Sequence, residues 1–218
     1  MKNQEISCII PAYNEEMTIS EIVHIASTCC QKVIVVDDGS QDNTYQIIKE
    51  LDLPNVTIIK NKKNIGKSNA VKRALKQVNT NFVLLLDADL IGLKKVHIQE
   101  LKNNINENIL MVVGLRDRMG SIGKYIMKFL PKIGGERIIK TSIIKSCCNN
   151  SLWKEYNMEL ILNSLVKKSG KCKYIFLEGV NHIPRVKKRG FKGALNLIRM
   201  FSTYTIIGTY LHFSSKKH

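Results

Sequence analysis

Acidic residues are scarce in the second half of this chain. Residues 111–218 hold 5 aspartates and glutamates against 21 lysines and arginines, whereas residues 1–110 hold 13 of each. The entire formal charge of +16 therefore lies in the second half. That asymmetry implies an anionic partner there: a membrane surface, a phosphorylated acceptor or nucleic acid. Nowhere do 18 apolar residues run together, which leaves no clear membrane span. No charged-then-apolar leader precedes Ile6, so a secretory signal is not expected. The six cysteines (Cys8, Cys29, Cys30, Cys147, Cys148 and Cys172) lack the spacing of zinc ligands, and buried or partly exposed thiols are expected. Only four prolines occur, with no Pro-rich linker, internal repeat or low-complexity segment. At 218 residues one domain with a sizeable core is the economical reading.

What is present is a regular alternation. Short apolar runs at Ile6–Ile10, Val33–Val36, Val56–Ile59 and Phe82–Leu86 read as strands. Helix-length polar segments separate them, at Glu15 to about Cys30, Asp42–Leu51 and Lys67–Val78. Strand–helix repetition of this kind predicts an α/β fold with a mostly parallel sheet flanked by helices. Ile109–Val113 and Tyr174–Leu177 are expected as later strands and Glu155–Lys168 as a helix, with Arg116–Lys145 irregular. The C-terminal stretch Phe191–Phe213 is aromatic-rich and follows Arg185-Val186-Lys187-Lys188-Arg189. An amphipathic helix lying in a membrane interface is expected there.

Each early strand ends in groups suited to a ligand, and ligands of open α/β sheets bind at the carboxyl ends of strands. Ile9-Ile10 runs into Pro11-Ala12-Tyr13-Asn14-Glu15-Glu16, and Val35-Val36 into Asp37-Asp38-Gly39-Ser40-Gln41-Asp42-Asn43-Thr44. Leu85-Leu86 ends in Asp87-Ala88-Asp89. Two carboxylates one residue apart suit a hard divalent ion shared with substrate phosphate oxygens. Asn64-Ile65-Gly66-Lys67 offers a glycine and a lysine at a helix start, which suits a phosphate oxygen; it lacks the spacing of a Walker loop.

These four motifs, in this order and spacing over residues 6 to 90, resemble those of family 2 glycosyltransferases with the GT-A fold. The resemblance implies a Rossmann-like GT-A domain over residues 1–190, divided into a nucleotide-sugar half (1–110) and an acceptor half (111–190), followed by the amphipathic segment 191–218. It implies that Asp38 pairs with the base of a nucleoside-diphosphate sugar. Pro11, Tyr13 and Glu15 would line the nucleoside pocket, with Gly66 and Lys67 near it. Asp87 and Asp89 would hold the ribose and a Mg²⁺ or Mn²⁺ ion on the diphosphate. Gly134-Gly135-Glu136-Arg137-Ile138-Ile139-Lys140 resembles the SGERALR stretch of small polyprenyl-phosphate sugar synthase-like members. Glu159 resembles a glutamate at a helix start facing the site. Gly179-Val180-Asn181-His182 resembles the segment that closes over the diphosphate, with His182 as a further metal ligand or diphosphate donor.

An acceptor hydroxyl needs a base, and Glu159 or Glu136 would serve. An ionised acceptor needs cations instead, and Arg116, Arg118, Arg137, Arg185, Lys187, Lys188 and Arg189 are available. The expected function is therefore metal-dependent transfer of a sugar to a polyprenyl phosphate or other lipid, by an enzyme peripheral on the cytoplasmic face of the membrane. The first alternative is the same donor chemistry with a soluble phosphorylated or hydroxyl acceptor. The second is nucleotidyl transfer, against which stands the absence of a Gly-rich G-x-G-T-R-like loop after the first strand. A nucleic-acid partner is not expected, because acids at a binding face repel phosphate. A second copy of the chain is a further candidate partner.

Overall fold

The computed structural model of the protein describes residues 5–106, 108–116, 134–150, 152–153, 157–168 and 171–182. Among them run strands β1 (Ile6–Ala12), β2 (Lys32–Asp37), β3 (Val56–Lys60), β4 (Phe82–Leu85), β5 (Leu90–Ile91), β6 (Met111–Arg116), β7 (Arg137–Lys140), β8 (Cys172–Leu177) and β9 (Asn181–His182). The helices are α1 (Ile19–Cys29), α2 (Thr44–Glu50), α3 (Lys67–Ala74), α4 (Lys95–Asn103), α5 (Thr141–Cys147) and α6 (Asn157–Lys168). Seven strands make one sheet in the order β3-β2-β1-β4-β7-β6-β8, and β5 with β9 makes a separate two-stranded ribbon. All pairings in the large sheet are parallel except those of β7, which runs antiparallel to both β4 and β6.

The apolar runs are continuous because helices cover both faces of the sheet. Ile6, Cys8, Ile10, Val33, Val35, Leu84 and Leu86 point to one face, under Ile22, Val23 and Ala26 of α1 and Ile98 and Leu101 of α4. Ile9, Ile34, Val36, Val83 and Leu85 point to the other, under Ala70, Val71 and Ala74 of α3, Ile144 of α5 and Met158, Ile161 and Leu162 of α6. Each such side chain contributes roughly 1.5–3 kcal/mol relative to exposure. The core therefore carries the fold, and the strand ends are left to polar groups.

The structure adds β5, α4 and β9 to the elements read from the sequence, and it departs from that reading in two further places. Helix α1 begins at Ile19 rather than Glu15, because the Glu15 and Glu16 backbone N–H groups donate to Thr44 Oγ1 (2.8 Å) and Asp42 Oδ2 (3.3 Å) on the neighbouring loop. The stretch expected to be irregular contains β7 and α5. Strand β7 is four residues long with a charged residue at each end, so it carries no readable alternation. The six thiols are free, as expected, with Cys8, Cys30, Cys147 and Cys148 buried. No helix among the described residues is long and apolar enough to cross a membrane. Arg118, Arg185, Lys187, Lys188, Arg189 and the segment 191–218 lie outside the described residues.

Candidate active site

Parallel register brings the polar strand ends level. Ala12 pairs with Asp37 across β1 and β2, and Ile9 pairs with Leu85 across β1 and β4. The loops after β1 and β2 are laced together: Asn14 N donates to Ser40 Oγ (3.0 Å), Gln41 N to Asn14 Oδ1 (2.8 Å), and Asn43 N to Glu16 Oε2 (3.0 Å). Asn14 takes a left-handed conformation (φ 56°) to make this turn, which an asparagine tolerates. Pro11, Tyr13 and Glu15 are half-buried along the resulting rim.

The two adjacent aspartates do different things. Asp38 Oδ1 accepts from Asn61 Nδ2 (2.7 Å) and Ile65 N (3.0 Å), and its Oδ2 accepts from Gly66 N (2.9 Å). Arg73 donates in turn to the Asn61 side-chain oxygen. Asp38 thus holds the 61–66 loop against the sheet. Gly39 (φ +76°) permits that contact, since a Cβ there would lie 2.7 Å from the backbone of Lys63. Asp37 is fully buried; its Oδ1 accepts from Ser40 N (3.1 Å), whereas its Oδ2 has no hydrogen-bond partner among the described residues. A buried carboxylate oxygen without a donor is costly. The sequence reading assigned the base contact to Asp38 and gave Asp37 no separate role. Strand alternation could have separated them, because it puts Asp38 on the α3 face of the sheet together with Val36.

The second cluster joins distant segments. Lys67, the first residue of α3, places Nζ 2.6 Å from Asp87 Oδ1 and 2.7 Å from Glu159 Oε1 on α6. Arg116, at the end of β6, lies 3.5 Å from Glu136 Oε2 through Nε and 4.0 Å from Asp87 Oδ2 through NH2. Burial pulls the Lys67 ammonium down, but Asp87 and Glu159 together hold it well above its ordinary value. Gly135 is required here by packing: a Cβ on it would lie 2.1 Å from Asp87 Oδ2. Trp153 steadies the start of α3 by donating to the Ser68 carbonyl (2.9 Å).

The β5–β9 ribbon carries His182 and begins one residue after Asp89. His182 pairs with Leu90, the residue after Asp89. Gly92 and Gly179 pack the two loops closely, since a Cβ on Gly92 would lie 2.6 Å from the Gly179 carbonyl oxygen. Among the described residues, no group of three or more His, Cys, Asp or Glu side chains is gathered as a metal cage. The donor set still fits a Mg²⁺ or Mn²⁺ ion, because such ions take one or two carboxylates and complete their shell from substrate phosphates and water. Asp87 already accommodates a cation at 2.6 Å.

Glu136, just before β7, and Arg137, its first residue, face different partners. Glu136 is fully buried, neither of its oxygens has a hydrogen-bond partner among the described residues, and burial raises its pKa to about 7 against the pull of Arg116. Arg137 is equally buried; it donates to the Gly134 carbonyl and to Asn163 Oδ1 (3.1 Å) on α6. The raised Glu136 pKa has a consequence for stability. Between about pH 4.5 and about 7 the folded state keeps a proton that the unfolded state has lost, so stability falls as pH rises through that window. Glu136→Gln should remove this fall, on the order of 3 kcal/mol, as measured by urea unfolding at pH 5 and pH 8. Parallel pH dependence in the two proteins would contradict it.

The sequence model of glycosyl transferase family 2 matches residues 7–158. The chain belongs to glycosyl transferase family 2. An undecaprenyl-phosphate 4-deoxy-4-formamido-L-arabinose transferase of Pseudomonas fluorescens is 34% identical over 95 residues, which are 39% of this chain and 28% of that protein. An uncharacterized protein of Methanocaldococcus jannaschii is 36% identical over 88 residues, 37% of this chain and 38% of that one. The chain thus spans well under half the length of these curated relatives. Glucosyl-3-phosphoglycerate synthase from Mycobacterium tuberculosis, solved with Mn²⁺, uridine-diphosphate-glucose and phosphoglyceric acid, superposes with a TM-score of 0.70 at 19% identity, covering 92% of this chain and 79% of that one. That likeness establishes a shared GT-A fold.

The lipid-phosphate acceptor expected from the sequence is corrected by these findings. Three solved structures that overlay on 88–92% of the family 2 chain carry phosphoglyceric acid or glycerol 3-phosphate, which are soluble anions. The undecaprenyl-phosphate transferase matches 39% of it. The physical reason lies in the cations. Arg116 and Arg137, counted in the sequence among the cations available to an ionised lipid acceptor, are committed to Glu136, Asp87, Gly134 and Asn163 inside the protein.

Proposed function

We propose that this family 2 chain transfers a sugar from a nucleoside-diphosphate sugar to a soluble anionic acceptor, with Mg²⁺ or Mn²⁺ as cofactor. The observation that carries the reading is the cluster in which Lys67 joins Asp87 and Glu159 beside level parallel strand ends. Residues 1–110 form the donor half and residues 111–190 the acceptor half of one GT-A domain. In the donor half Asp37 accepts an N–H of the base, and Asp38 holds the loop carrying Gly66 against it. Pro11, Tyr13 and Glu15 line the nucleoside, and Lys67 serves the diphosphate. Asp87 and Asp89, with His182, hold the divalent ion. That ion, when bound, offsets charge developing on the leaving nucleoside diphosphate.

In the acceptor half Glu159 and Glu136 are the candidate bases for the attacking hydroxyl. Glu136 lies in a dry environment that favours proton uptake near neutral pH, as a general base requires. Arg137 positions α6, and so Glu159, through Asn163. Glycerol 3-phosphate set against glycerol probes the acceptor. A charge-assisted contact to the phosphate should favour the former by about 10- to 100-fold in kcat/KM. Equal transfer to both would remove the anionic acceptor from the reading.

A further inference from the structure

The carboxylate assigned to the metal already has a cation on each oxygen. Lys67 Nζ sits 2.6 Å from Asp87 Oδ1 and Arg116 NH2 sits 4.0 Å from Oδ2. The Lys67 ammonium is shared with Glu159 at 2.7 Å, so one side chain neutralises both the proposed metal ligand and a candidate base. Glu159 is nearly buried, and two uncompensated carboxylates so placed would repel each other strongly. A divalent ion arriving alone must therefore displace a positive charge from a short, half-buried pair. A divalent ion arriving with a diphosphate meets a different balance, because the diphosphate brings anionic oxygens to which an ammonium can turn.

We propose that Lys67 is a built-in counter-ion that keeps the divalent metal from Asp87 until the donor's diphosphate is present. This role rests on the assignment of Asp87 as a metal ligand and goes beyond a donor contact. Lys67 belongs to α3, its two partners to the end of β4 and to α6. Movement of one ammonium from carboxylates to diphosphate thus frees Asp87 and Glu159 in the same step. Metal binding and donor binding become coupled through that side chain, and the coupling is reciprocal.

The test is equilibrium uptake of Mn²⁺, followed by loss of the free-ion paramagnetic resonance signal, with no sugar transfer involved. Wild type should bind MnCl₂ alone weakly and bind it far more tightly with uridine diphosphate. Lys67→Met and Lys67→Gln should bind MnCl₂ alone at least about tenfold more tightly than wild type, because an opposing charge is gone. Lys67→Arg should stay near wild type. Thermal melts should show the same order, with MnCl₂ stabilising Lys67→Met more than the parent, since a ligand stabilises whichever fold binds it. A purely structural lysine predicts lower stability without higher metal affinity; a plain donor contact predicts weaker nucleotide binding only.

Metal affinity unchanged or weakened in both neutral variants would overturn the counter-ion role and leave the metal assignment standing. Should both variants fail to fold, wild type decides alone: Mn²⁺ bound as tightly without uridine diphosphate as with it overturns the proposal. Uptake that ignores both uridine diphosphate and Asp87→Asn would overturn the metal assignment as well.

Discussion

Asp89→Ala should lower kcat/KM for sugar transfer by about 10²–10³-fold, the scale on which removing one group that stabilises developing charge is felt. The fold should survive. Asp89 is half-buried at the junction between β4 and β5 and forms no ion pair within 4.0 Å among the described residues. Substitutions at such positions usually change stability by about 0.5 kcal/mol or less. Its neighbour contrasts with it. Asp87 is gripped by Lys67 and lies against Gly135, so its loss disturbs packing as well as chemistry. Asp89 is therefore the cleaner probe, with steady-state kinetics and thermal melting measured on the same sample. A fully active Asp89→Ala protein would take this carboxylate out of the site.

Asp37→Asn should weaken donor binding by about 10- to 100-fold while leaving kcat nearly unchanged, because a contact to the base is made in ground and transition states alike. The argument turns on the unpartnered Asp37 Oδ2. An amide nitrogen in that place presents N–H groups to the N–H groups of the base. Stability should not fall and should rise slightly, since a buried charge lacking a full set of donors becomes neutral. Asp38→Asn should do the reverse. Three donors converge on its two oxygens, and an amide, with only one accepting oxygen, leaves at least one of them facing an N–H group. A cost of roughly 1–3 kcal/mol in unfolding free energy is expected, with donor affinity falling as the 61–66 loop loosens. Calorimetric titration with the nucleotide, beside urea unfolding, separates the two. Loss of stability in Asp37→Asn with unaltered nucleotide affinity would reverse the assignment.

The first 90 residues were legible because their physics is local. Apolar runs bounded by turns gave β1 to β4, and the polar residues after each strand marked the edge at which open α/β sheets bind ligands. Beyond them the signals are non-local. Strand β7 owes its place to antiparallel pairing with β4 and β6, and its first residue is an arginine buried among backbone and amide oxygens. Hydropathy cannot foresee that. The Lys67–Glu159 contact spans 92 positions, so motif spacing located the lysine and a resemblance located the glutamate, but neither paired them. The count of basic residues likewise does not distinguish a surface cation from one, like Arg116, held in an internal ion pair.

The central claim is that this chain consumes a nucleoside-diphosphate sugar in a metal-dependent transfer to a soluble anion. Purified protein should be incubated with a panel of nucleoside-diphosphate sugars including uridine-diphosphate-glucose, with Mn²⁺, and with phosphoglyceric acid or glycerol 3-phosphate, and released nucleoside diphosphate measured. The account predicts release with at least one donor that depends on the acceptor, is matched by glycosylated product and is lost on addition of EDTA. Release that is indifferent to EDTA, or absent with every donor and both acceptors in a folded protein, would contradict it.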